Sequence, residues 1–192
     1  MSGDLVANPH EVHDDAQEVL AFWFEEVPPE KWFVRDHALD AAITDRFARI
    51  RDDVVLGQAA GWRTDAETLL AAVVAVDQFS RNLFRGSAEA FAGDKLALEL
   101  TREAIGQGWD MQLPVAQRAF LYMPLMHAED SQAQAESVAA FEALGEPDNL
   151  KFARDHAAVI ARFGRFPGRN AALGRVSTAE EAAFLAEGGG DW

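Results

Sequence analysis

The sequence predicts an all-α fold of seven to eight helices in antiparallel hairpins, built as a bundle or a hairpin array. Three observations predict it. Apolar residues recur at helical spacing along nearly the whole chain, no segment sustains the period-2 alternation of a half-buried strand, and Gly- or Pro-rich breakers divide the pattern at short intervals.

The first helix is expected over about 15–27, where Val19, Leu20, Phe22, Trp23 and Val27 form a broad apolar face and Pro28-Pro29 stop it. A loop bearing Trp32 and Phe33 follows. The second helix spans about 39–56, with Ile43, Phe47, Ile50 and Val54 on one stripe and Gly57 past its end. Thr64 or Asp65 caps the third, which runs on through Asp77-Gln78-Phe79. A turn at Arg85-Gly86-Ser87 leads to a short helix over 88–92 and a longer one over 94–107, closed by Gly108. Pro114 suits the first turn of a helix reaching about Glu129, and Pro124 inside it is expected to kink or split it. Helices over 131–144 and 149–163 flank the breaker Gly145-Glu146-Pro147-Asp148. After the loop 164–176, the capping-box spacing of Thr178 and Glu181 opens a last short helix. Residues 1–192 read as a single helical domain, with 187–192 as a flexible tail.

Composition narrows the function classes. Hydrophobic residues make up 49% of the 192, enough for a large core, and no apolar run approaches the roughly 20 residues of a membrane span. A formal charge of -15 disfavours nucleic acid and anionic membrane surfaces as partners. The absence of cysteine excludes disulfides and thiolate metal sites, and the start Met1-Ser2-Gly3-Asp4 lacks a signal pattern, so a cytoplasmic location is expected. Against this acidic background, residues 160–176 carry Arg162, Arg165, Arg169 and Arg175 and no acidic residue.

Groups that bind anions or transfer protons concentrate in four places: Asp77 to Gly86, Tyr122 to Asp130, His156, and Arg162 to Asn170. With Leu20 to Phe24, Trp32-Phe33, Phe91 to Asp94 and Leu173 to Leu185, these segments resemble the signature of an uncharacterised, mainly bacterial family. It is the domain of unknown function numbered 924. The resemblance covers nearly the whole chain; it implies a tetratricopeptide-like helical fold and brings no established activity. No repeat of about 34 residues is visible in the sequence itself. The chain departs from the family pattern at Gly168, where the family usually has His.

The chemistry of these residues supports three readings. In the first, Arg81, Arg85, Arg165 and Arg169 bind a small phosphate or carboxylate ligand through their forked donors, helped by Asn82, Asn170 and His156. In the second, the arginines pair with internal carboxylates, Asp77 being four residues before Arg81, and the chain is an interaction module that takes a peptide. In the third, His127 is a general base and Asp77, Glu129 or Asp130 orients its ring. No cofactor motif is present, and His127 with Asp130 at i, i+3 falls short of a metal site, so neither cofactor nor metal is expected.

Overall fold

The computed structural model describes residues 9–190, all helix, turn and loop with no strand among them. Helix α1 (Pro9–Ala21) begins earlier than the apolar pattern announces and passes without a break into a π-helical turn, Phe22–Glu26. Helix α2 (His37–Leu56) is capped by the Asp36 carboxylate, which accepts from the backbone N–H groups of Ala38 and Leu39. Helix α3 (Ala66–Val73), capped by Asp65, continues as a second π-helical segment, Val74–Phe79, and then as α4 (Ser80–Leu83). Helix α5 (Asp94–Gly106), α6 (Val115–His127), α7 (Ser131–Leu144) and α8 (Pro147–Phe163) follow, and α9 (Ala179–Ala186) opens with the expected capping box.

Helix α6 is not split at Pro124. A proline inside a helix costs about 3 kcal/mol through its missing N–H and the clash of its ring. Here the whole stretch Ala119–Met126 is buried, and that packing holds the helix through the defect.

The architecture explains why polar residues end up in the middle. Helix α3 packs against α1, α5 and α6, and its π extension packs against α2, α5 and α6. Every side of the Val74–Phe79 segment is therefore covered, and Val74, Ala75, Val76 and Phe79 belong to the main core with Trp23, Phe47 and Leu100. Short connections make α6, α7 and α8 antiparallel neighbours, so α6 and α8 run in the same direction and end side by side. The C-terminal segment forms a smaller core of Val159, Ile160 and Phe166 beneath Phe163 and Phe184. Gly189 lies so close to the Phe184 ring that a Cβ there would overlap it, so the stretch up to Gly190 packs onto α9, while Trp192 lies outside the described residues. No helix among the described residues is long and apolar enough to cross a membrane.

Candidate functional site

The site is built on Asp77. A π turn holds an extra residue relative to an α-helix, and such turns occur disproportionately at functional positions. Asp77 occupies the π segment and is 1% exposed. A buried carboxylate needs partners. Arg81, one turn on, donates through Nη1 to the Asp77 carbonyl at 2.7 Å and lies 3.1 Å from its Oδ1. Gln78 Nε2 donates to Oδ2 at 2.6 Å and also touches the Met123 sulfur. His127, the last residue of α6, places Nδ1 2.9 Å from both Asp77 oxygens.

Charge fixes the protonation of this pair. Burial pushes the Asp77 carboxyl up, but Arg81 and His127 outweigh it and hold it well below the usual carboxylate range. Burial pushes the His127 imidazole below its ordinary value, and Arg81 and Arg169 add to that against the pull of Asp77. The ring is therefore neutral near pH 7. Facing an ionised carboxylate, Nδ1 carries the proton and donates it, which leaves the lone pair on Nε2. Nε2 has no partner among the described residues and is not sealed from solvent, the side chain being 17% exposed.

Two arginines complete the cluster. Arg169, from the short turn Pro167–Arg169, donates through Nη2 to the His127 carbonyl at 2.8 Å and through Nη1 to Asp94 Oδ2 at 2.9 Å. Its guanidinium lies over the rings of Phe91 and Phe166, which fix its plane. Arg81 reaches the other oxygen of Asp94 at 3.2 Å. One carboxylate at the start of α5 thus bridges both guanidiniums. His156, on α8, faces His127 with ring centroids 6.2 Å apart and packs on Phe166. Its Nδ1 donates to the Phe152 carbonyl, and burial, with His127 beside it, pushes its pKa down to about 3.

A family model described as a bacterial protein of unknown function, DUF924, matches residues 19–189. The chain belongs to the DUF924 family. It is also similar to a solved structure of a protein of unknown function from Agrobacterium tumefaciens, with 38% identity and a TM-score of 0.87. The alignment covers 92% of this chain and 99% of that one. No curated protein matches the chain.

In this DUF924 chain some of the sequence-expected residues come together and others do not. Asp77, Arg81, His127, His156 and Arg169 converge. Arg85 and Asn82 do not join them: both bind Asp40 of α2, Arg85 through a fork at 2.7 and 2.8 Å. Arg165 and Asn170 turn instead to Glu181 of α9, whose carboxyl the Arg165 contact pulls down to about 2. The four arginines therefore do not form one anion cradle: Arg81 and Arg169 share Asp94, while Arg85 and Arg165 are each held by a different carboxylate. Glu129 does not orient His127; it binds Arg175 at 2.7 and 2.9 Å and accepts from the Phe166 N–H, anchoring the loop that carries Arg169. Asp130 does not either, since its carboxylate caps α7 at the Ala133 N–H.

Sequence reasoning gave Asp94 no role in the site, although Phe91 to Asp94 is among the segments that carry the family resemblance. Phe91 and Phe166 lie in segments singled out in the sequence, but their clamp on Arg169 was not foreseen. The side-chain contacts of the cluster are made by residues other than Gly168, where a Cβ would sit 3.1 Å from the Gly190 carbonyl. Among the described residues no group of three or more His, Asp or Glu is placed to hold a metal ion.

Proposed function

We propose that the Asp77–His127 pair is an acid–base centre acting on a small anionic substrate, whose phosphate or carboxylate is received by Arg169 and Arg81. The observation that carries this reading is a buried, ionised carboxylate aligning a neutral imidazole, 17% exposed, whose second nitrogen has no hydrogen-bond partner among the described residues. In that arrangement Asp77 sets the tautomer and stabilises the imidazolium that forms when Nε2 takes a proton from the substrate. A guanidinium has five N–H donors, and the contacts described above leave donors of both arginines for an incoming anion.

A purely structural role is favoured by one observation, that Asp94 pairs both arginines without any ligand. His127→Asn separates the two readings. The Asn amide replaces Nδ1 as donor to Asp77 but has nothing in place of Nε2, so the structural network survives and the acid–base centre does not. In a thermal-shift screen at low salt against phosphorylated metabolites, organic acids and nucleotides, a ligand at about 100 times its Kd stabilises by about 2.7 kcal/mol, or roughly 5–10 °C. The expected result is a salt-sensitive shift of that order, abolished by Arg169→Ala, with turnover of the compound so identified lost in His127→Asn. A panel without a shift, or a hit turned over equally by His127→Asn, refutes the acid–base reading.

A further inference from the structure

The cluster around Asp77 leaves Trp32-Phe33 without a role. Trp32 is fixed by its indole N–H, which donates to the Trp23 carbonyl at 2.9 Å. Phe33 next to it is 71% exposed, yet it lies parallel to the buried Phe120 ring of α6, with centroids 5.9 Å apart. The Trp32 ring stands nearly perpendicular to both. Together with Met123 these rings wall an open hollow of ≈ 370 Å³, which Asn149 and Glu146 close at the start of α8. That volume is at the small-molecule end of ligand sites.

The charge around the hollow selects the ligand. Glu146 is the one charged residue among those lining it. Elsewhere the protein covers its aromatic faces with its own cations: Arg46 over Phe22, Arg51 over Phe84, Arg162 over Phe163, Arg169 over Phe91 and Phe166. Among the described residues no arginine or lysine lies over Trp32, Phe33 or Phe120 in this way. Lys31 pairs instead with Asp36, and Arg118 donates to the Asp110 and Leu113 carbonyls. Electron-rich faces, a carboxylate and a molecule of charge -15 together favour a positive guest.

We propose that this hollow is a second binding site, separate from the His127 centre, for a small alkylammonium cation. The rings take the N-alkyl groups and Glu146 supplies the counter-charge. The test follows the Trp32 indole N–H in ¹H–¹⁵N spectra of the whole protein, assigned with Trp32→Phe. Tetramethylammonium chloride is titrated against sodium chloride at equal ionic strength and against neopentyl alcohol as the neutral counterpart. A saturable shift with the ammonium alone is expected, weakened roughly two- to fivefold in Phe33→Leu and in Glu146→Gln, and unchanged in His127→Asn. Equal shifts with the alcohol, no saturable shift, or a response indifferent to both Phe33→Leu and Glu146→Gln would overturn the proposal. Loss of the response in His127→Asn would overturn its independence from the first site.

Discussion

At the scale of single residues, the energetics turn on Asp77. It is sealed from water and surrounded by one arginine, one neutral histidine and one amide, so its charge is compensated chiefly by Arg81. Asp77→Asn keeps the shape and removes the charge. Breaking a buried pair by deleting one partner typically costs about 3–5 kcal/mol. Because Asp94 still pairs Arg81, a loss near the low end, about 3 kcal/mol, is expected in urea unfolding. The same substitution removes the one neighbour that raises the His127 pKa, so the imidazole should titrate at still lower pH, which NMR of the ring protons reads directly. An unchanged or higher His127 pKa in Asp77→Asn would contradict the electrostatics assigned to the pair.

At the scale of elements, the site depends on how closely α5 approaches the π segment. Gly93, just before α5, has an ordinary φ of -89°, so its lack of a side chain is not a backbone requirement. A Cβ there would overlap Val76 Cγ1, one residue before Asp77. Gly93→Ala should therefore cost about 1–3 kcal/mol by overpacking. Val76→Ala, which removes the clashing methyl, should recover part of that loss, so that a double-mutant cycle shows a favourable coupling. Additive losses in chemical denaturation would mean that the contact is not the cause.

Elements also show what the sequence discloses. The bounds of α7, the cap of α3 to within the two candidates Thr64 and Asp65, and the Thr178–Glu181 capping box were legible because caps and breakers are local signals. The π turns were not, since a π turn is a change of backbone register that no residue type announces. Asp77 and His127 were each legible as candidates, but their pairing joins residues fifty positions apart. The nearer acids, Glu129 and Asp130, looked like partners only because sequence proximity stands in for distance, and both are committed elsewhere.

At the scale of the whole molecule, two charge effects act on stability as the pH falls from 7, and they oppose each other. The excess of carboxylates gives a net charge of -15, and every proton taken up relieves its self-repulsion, chiefly where carboxylates protonate below about pH 5. Between pH 7 and 5.5 the groups that titrate in the unfolded chain are the histidines, near 6.5. His156 is held at about 3 in the folded state, so there the unfolded chain binds the proton and the folded one does not. Stability from this group is complete above about 6.5 and is lost as the pH drops toward 3. Integrating from 7 to 5.5 gives about 1 kcal/mol for His156. His127 acts in the same direction, its folded value also being lowered. The protein should therefore be less stable at pH 5.5 than at pH 7, even though acidification brings its net charge nearer zero. His156→Gln, which cannot titrate, should flatten the pH dependence of urea unfolding by about 1 kcal/mol over that interval. A pH profile that rises toward 5.5, or one that His156→Gln leaves equally steep, would show that self-repulsion and not the buried imidazole governs acid stability.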